Sequence, residues 1–383
     1  MNDHGNDLQT EYHERVRALL ARTLTAAELR GVWESGTLHH DSLARAMAAE
    51  GWIGASWPKA VGGAEMRADE YAALWEAMNY HMVPTDLIQI TEILASVIQA
   101  QGTDEQRERI LPAVLRGELL MSMGYTEPEA GSDVASTRTN AVPDGEGWRI
   151  NGAKMFTTGA HRADFILTLT RTDPERAKHA GLSLFLVPTS AGGVQISPVH
   201  TFGGDRTNAV FFDDVRVRDI DLVGPLDEGW LVLNQALDVE RLFMGGFVGQ
   251  AQRLLDDLVA ALESLGRLDD AAATGRLAEA AARVAAARAI VSSLYERIAD
   301  RHEVHEHAAM AKLLVTETVK ELTYLALDLV GPEALLEHDE PGAVADGLLE
   351  HWFRHSQVLT IYGGSSEIQR NIVAHRYLGL PRG

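Results

Sequence analysis

Apolar positions along the chain fall into three stretches with different periods. Up to about residue 120 the spacing is three and four. Leu43 and Met47 close one amphipathic segment, which Gly62-Gly63 ends, and Tyr71, Leu74, Trp75 and Met78 share a helical face. Residues 88–101 are almost all apolar and stop at Gly102, after which Thr103-Asp104-Glu105-Gln106 has the form of a capping box. From about 121 the pattern changes to short β-rich runs at 165–170, 182–187 and 210–212. The pairs Asp144-Gly145, Asn151-Gly152, Gly192-Gly193 and Gly203-Gly204 separate them. Asn151-Gly152, inside an alternating stretch, predicts a hairpin turn. Beyond about 226 the chain predicts helices over 227–265, 271–301 and 303–329 and, after a strand-like run at Ile361, a last one after Ser365, where Ser366 and Gln369 can form a capping box. The result is an α+β chain in three parts: a helical 1–120, a β-rich 121–225 and a helical 226–383.

Two features stand apart from this patterning. The loop Y-T-E-P-E-A-G-S-D-V, from Tyr125 to Val134, gathers hydroxyls, a Pro and a Gly, which suits presentation of polar groups to a planar partner. The stripe Leu233, Leu237, Glu240, Met244, Phe247, Ala251, Leu254, Leu258 is apolar except for Glu240. A carboxylate there loses hydration and its pKa rises, as a general base near neutrality requires. The residues alone favour a structural carboxylate paired with Arg241 or another cation.

A formal charge of −21 argues against nucleic acid and an anionic membrane surface as partners. The absence of cysteine excludes disulfides, thiolate catalysis and Cys-ligated metals. No apolar run of membrane-spanning length occurs. The polar, mixed-charge first 30 residues resemble neither a signal nor a transit peptide, so a cytoplasmic location is expected. His302, His305 and Glu306 would share a helical face, but the spacing is not that of H-E-x-x-H and reads as a solvated surface, so no metal is expected. No G-x-G-x-x-G follows a predicted strand.

The loop just described, with M-F-T-T from Met155 to Thr158, resembles the flavin-binding signature of the acyl-CoA dehydrogenase family. I-Y-G-G-S-S-E-I-Q-R-N-I, from Ile361, resembles the family's second signature. The likeness runs from Trp57 to Arg382. It implies an N-terminal helical domain, a middle β-domain and a C-terminal four-helix bundle, with FAD as cofactor and an acyl-CoA thioester as substrate. The electron acceptor implied is an electron-transfer flavoprotein, and the assembly a homodimer or homotetramer. By the same resemblance Met123, Tyr125, Thr126, Gly131, Ser132, Phe156, Thr158, Gly364, Ser365 and Glu367 contact FAD. Ser132 also meets the substrate, and Asp238 and Arg241 the CoA arm.

Most family members carry the catalytic Glu directly after the Tyr of the second signature, where this chain has Gly363. A minority, typified by isovaleryl-CoA and long-chain dehydrogenases, carry it in a D-x-E-R pattern, which Asp238-Val239-Glu240-Arg241 matches. The resemblance therefore implies that Glu240 takes the α-proton, that a hydride leaves the β-carbon for flavin N5, and that the Gly363 N–H steadies the thioester oxygen. Two elements depart from the family. The R-x-x-F-G motif is absent from 262–275, and Q-x-x-G-G is reduced to Leu327-Asp328-Leu329-Val330-Gly331-Pro332. Both normally complete a neighbour's FAD site, so a heteromeric assembly, or a non-catalytic partner subunit, stays open. So does a flavin oxidase or monooxygenase on the same fold.

Overall fold

The computed structural model describes residues 3–37, 39–234, 243–302 and 304–381. The chain opens with helices α1 Asp3–Thr23, α2 Ala26–Glu34, α3 Asp41–Ala49, α4 Ala68–Tyr80, α5 Asp86–Gln101 and α6 Asp104–Leu115. The expected helical faces are the buried ones: Leu43 and Met47 on α3, and Tyr71, Leu74, Trp75 and Met78 on α4. The predicted box caps α6. Gln106 N donates to Thr103 Oγ1 (3.2 Å) and Thr103 N donates to Gln106 Oε1 (3.0 Å).

The middle of the chain forms β1 Met121–Gly124, β2 Asn140–Pro143, β3 Gly147–Lys154, β4 Phe165–Arg171, β5 Leu182–Pro188, β6 Val194–His200, β7 Arg206–Arg218 and β8 Leu222–Val223. They make one sheet in the order β6-β7-β3-β2-β4-β5-β8, with β1 added in parallel to β4. Alternation in β5 sorts its side chains between two cores. Leu182, Leu184 and Leu186 join the large core shared with the helices, whereas Phe185 and Val187 join a smaller core with Ile150, Ile166, Val210 and Phe212. Burial of both faces explains why 182–187 reads as an apolar run broken only by Ser183.

Asn151-Gly152 is not a hairpin turn. Both residues lie inside β3, where the pairing with β7 slips by one residue between Ile150 and Gly152. The bulge is fixed from both ends. Asn151 Oδ1 accepts from Asp214 N (2.9 Å) and its Nδ2 donates to Asp214 Oδ1 (3.1 Å). Gly152 has φ of 147°, and a Cβ there would lie 2.6 Å from Thr139 Cα. The hairpin between β2 and β3 turns instead at Asp144-Gly145, closed by Asp144 N donating to Gly147 O (2.8 Å).

The C-terminal helices are α7, described from 229 to 234, then α8 Val248–Ser264, α9 Ala271–Ala299, α10 His305–Val330, α11 Leu348–Leu359 and α12 Ser366–Ile372. The single helix predicted over 227–265 is interrupted by a 3-10 turn, Met244–Phe247, before α8. There α8 approaches α4 closely: a Cβ on Gly249 would lie 2.1 Å from Glu76 O. Helices α8, α9 and α10 pack mutually, α11 lies on α8 and α10, and α12 lies on α10. Helix α11 has no counterpart in the predicted elements, although Leu349, Trp352 and Leu359 are buried along it. It docks on the β-domain through His355 Nδ1 and Asp205 Oδ2 at 2.9 Å.

Candidate active site

The loop after β1 is held from below by one buried ion pair. Lys154, at the end of β3, is fully buried, and its Nζ donates to Glu127 Oε1 (2.8 Å), Thr137 Oγ1 (3.0 Å) and Tyr125 O (3.2 Å). The Glu127 carboxylate also accepts from Thr137 Oγ1 and from the N–H groups of Arg138 and Thr139. Burial alone would raise its carboxyl. The Lys154 ammonium outweighs that and, with these donors, holds it down at about 2. Glu127 is thus an ionised staple and not a proton carrier. Above it, Glu127 and Ala130 exchange backbone hydrogen bonds of 3.0 and 3.1 Å, which closes a tight turn around Pro128. Gly131 and Ser132 are exposed just beyond it, Tyr125 is buried, and Met123 and Thr126 are half-buried.

The second segment of this signature, which follows β3, is tied to the loop directly. Met155 N donates to Thr126 O (2.8 Å) and Ser122 Oγ donates to Thr158 O (2.8 Å). Between them Phe156 takes a left-handed backbone (φ 56°) that leaves its ring 60% exposed. Such a conformation is disfavoured for an aromatic residue and is fixed here by neighbours: Thr157 N donates to Asn208 O (2.9 Å) and Thr158 N to Phe156 O (3.0 Å). Met123, Tyr125, Thr126, Phe156 and Thr158 are therefore one connected unit.

The C-terminal signature forms a second unit. The run before it is the end of helix α11, not the strand its composition suggests. Gly363 and Gly364 follow with φ of 64° and 82°, then Ser365 caps α12 by accepting from Ile368 N (3.4 Å). The cap is thus Ser365 and not Ser366. Ser365 also lowers the Glu367 carboxyl, after Glu367's own backbone N–H. The carbonyls of the glycine turn point inward. Gln369 Nε2 donates to Gly363 O (2.8 Å) and Gly364 O (3.1 Å), and the fully buried Lys312 of α10 donates to Gly364 O (2.9 Å). Tyr362 and Tyr125 pack into the same apolar cluster, which carries both units.

Asp238, Glu240 and Arg241 lie outside the described residues. Of their stripe, Leu233, Phe247, Ala251, Leu254 and Leu258 are buried. Lys154 and Lys312 do not emerge from the sequence, and Gln369 emerges only as a capping partner of Ser366, whereas it binds the glycine carbonyls. Lys154 lies 27 residues from Glu127, and no local spacing links them. Lys312, by contrast, interrupts the stripe Ala308, Val315, Val319, Leu322, Ala326 of α10 as Glu240 interrupts its own, so the same signal marks it.

Several groups fit a polar, planar cofactor. Gly131 has no positive φ, and a Cβ on it would meet nothing within 4 Å. The fold itself therefore does not demand glycine there, while a closely approaching ligand would. Buried Ser366 Oγ, Thr157 Oγ1 and Gln369 Oε1 have no hydrogen-bond partner among the described residues. The exposed Phe156 ring offers an aromatic face beside Thr158.

Comparison with known proteins agrees with this geometry. Three family models match in chain order: acyl-CoA dehydrogenase N-terminal domain over 6–118, middle domain over 122–215 and C-terminal domain over 227–378. The acyl-CoA dehydrogenase IpdE1 of Mycobacterium tuberculosis is 36% identical over 388 residues, covering 97% of this chain and 98% of the relative. The acyl-CoA dehydrogenase FadE26 of the same organism is 32% identical, covering 98% and 97%. Among solved structures, the Tcur3481-Tcur3483 steroid ACAD superposes with a TM-score of 0.93 at 31% identity, covering 100% of this chain and 99% of that one. The ChsE4-ChsE5 complex from Mycobacterium tuberculosis gives 0.88 at 30% identity, with the same coverage. The chain belongs to the acyl-CoA dehydrogenase family, whose members are FAD-dependent enzymes.

Proposed function

We propose that this chain converts an acyl-CoA thioester to the 2-enoyl-CoA, with Glu240 as the general base. Bound FAD supplies the hydride acceptor. Met123, Tyr125, Thr126, Gly131, Ser132, Phe156 and Thr158 would hold it from the β-domain, and Gly364, Ser365 and Glu367 from the bundle. Ser132 would meet the substrate too, and Asp238 and Arg241 the CoA arm. Glu240 takes the α-proton. The negative charge that develops on the thioester oxygen needs a fixed donor, which is the role assigned to the Gly363 N–H.

One observation carries this reading. At the position where most relatives hold the base, the chain has a left-handed Gly363-Gly364 turn whose carbonyls are tied inward and whose Gly363 N–H binds no backbone acceptor among the described residues, so no carboxylate competes. A single donor of this kind contributes about 3–4 kcal/mol to the transition state. The test is anaerobic titration of the purified protein with a panel of acyl-CoA esters while the flavin visible band is followed. Bleaching by one ester supports the reading and names its substrate class. Yellow protein that no ester bleaches refutes it.

A second reading concerns assembly, with a different subunit as partner. Where relatives would donate an Arg to a neighbour, Arg267 is engaged in its own chain. It donates to Val330 O and to Leu329 O (3.4 Å) at the end of α10, and lies 3.6 Å from Glu333. Tyr377, Leu378 and Leu380 are more than half exposed near the C-terminus, which suits a subunit contact. The two-chain composition named for the Tcur3481-Tcur3483 and ChsE4-ChsE5 structures supports the same reading. Sedimentation of the chain expressed alone decides it: a yellow, stable homotetramer would remove the need for a second subunit.

A further inference from the structure

We infer that Lys312, acting with Gln369, is a positioning residue that sets the direction of the donor groups in the Gly363–Ser365 turn. This rests on the reading above, in which that turn meets the thioester oxygen. In a trans peptide the carbonyl of one residue and the N–H of the next point in opposite directions. Gly363 O is held by Gln369 Nε2, and Gly364 O by both Gln369 Nε2 and Lys312 Nζ, all from the bundle side. The N–H groups of Gly364 and Ser365 are thereby driven the other way. Gly363 and Gly364 both have positive φ, a turn conformation whose successive N–H groups can together receive partial negative charge. None of the N–H groups of Gly363, Gly364 and Ser365 binds a backbone acceptor among the described residues.

The arrangement is specific in its parts. Lys312 has no exposed surface, and burying an ammonium is costly unless it is well bonded. An apolar residue at 312 would continue the α10 stripe without that cost. Position 364 must be glycine for the clamp to close, because a Cβ there would lie 2.6 Å from Gln369 Nε2. The charge on Lys312 also polarises the peptide it holds, which makes the Ser365 N–H a better donor.

The test uses the flavin-loaded protein and the acyl-CoA ester that bleaches it, in wild type, Lys312→Met, Lys312→Arg and Gln369→Leu. Two quantities are read: the kcat and KM pair, and the infrared carbonyl stretch of the bound ester labelled with carbon-13 at the thioester carbon. The expected result for Lys312→Met is a kcat lower by about 10²-fold, the scale of one lost donor, with KM nearly unchanged. The carbonyl band should move back towards its free-solution frequency. Lys312→Arg keeps a buried cation and should retain most of the shift. If Lys312→Met does not fold, Gln369→Leu carries the test, since it frees Gly363 O, leaves Gly364 O to Lys312 alone, and should move both readouts together. A wild-type shift that persists in both variants overturns the inference. Loss of flavin or stability with the carbonyl band unmoved gives Lys312 a purely structural role and overturns it as well. A wild type that binds no acyl-CoA ester sinks the underlying reading instead, through the titration and not through the variants.

Discussion

Lys154→Met is the most direct test of how the first signature loop is built. Methionine keeps the apolar stem and removes the ammonium, which lies 2.8 Å from Glu127 Oε1 with side-chain exposures of 0% and 6%. The carboxylate then remains buried with its donors from Thr137, Arg138 and Thr139 but without a counter-charge. Removing one partner of such a pair costs about 3–5 kcal/mol. The Glu127 carboxyl falls from 4.5 to about 2 because the Lys154 ammonium outweighs its burial, whereas burial draws Lys154 itself down to about 8. Since the folded value lies below the ordinary one, this contribution is complete above pH 4.5 and is lost as the pH falls toward 2. Urea denaturation of wild type, Lys154→Met and the double variant Lys154→Met/Glu127→Gln measures it. The single variant should lose about 3 kcal/mol or more and release flavin more readily. The double variant should regain most of the stability, because no charge is then left buried. A single variant within about 1 kcal/mol of wild type, the scale of a surface pair, refutes the reasoning.

Glu240→Gln should keep its flavin and lose turnover by about 10²–10⁴-fold, the usual contribution of a positioned base; near-normal steady-state rates would remove Glu240 from that role. Gly152→Val should destabilise the protein by about 1–3 kcal/mol through backbone strain and contact with Thr139, and a melting temperature equal to wild type would count against the bulge. Burial draws His355 down, but Asp205 and then Asp86 outweigh it and raise its pKa above 6.5, so its contribution is complete below that pH and fades as pH rises through the folded value. His355→Gln should flatten that part of the stability profile, although His351 stacks on the same ring; an unchanged slope in thermal melts across the neutral range would refute the assignment. Gly363→Ala should cost about 1–2 kcal/mol because a left-handed backbone penalises a Cβ, and full stability in urea would show that the turn tolerates another conformation.

The parts of this protein that the sequence discloses are those governed by local periodicity. The faces of α3 and α4, the box that starts α6 and the apolar runs of β4 and β5 all follow from spacing within one element. The misreadings arise where a distant partner overrides the local signal. Asn151-Gly152 is a strong turn pair, yet Asp214 and Thr139 hold it as a bulge within β3. Ser366 is as good a cap as Ser365 by residue type, and only the turn at Gly363-Gly364 decides which of them faces Ile368 N. Helix α11 goes unnoticed because 336–347, rich in Gly, Pro and acids, hides its start. The staple of the first loop is invisible for the same reason, since Glu127 and Lys154 meet only after β2 and β3 have paired.

Position 363 links backbone conformation to the placement of the base. With φ of 64°, the turn suits glycine and strains any other residue. A carboxylate carried there would have to bear that strain. A base carried elsewhere in the chain, as proposed for Glu240, would separate the two tasks. It would abstract the proton while the Gly-Gly turn, its carbonyls held by Lys312 and Gln369, would only donate. On this view the glycine at 363 and the glutamate at 240 are one design, and a carboxylate restored at 363 in a Glu240→Gln background should recover little turnover, because it brings back a proton acceptor and disturbs the donor row at once.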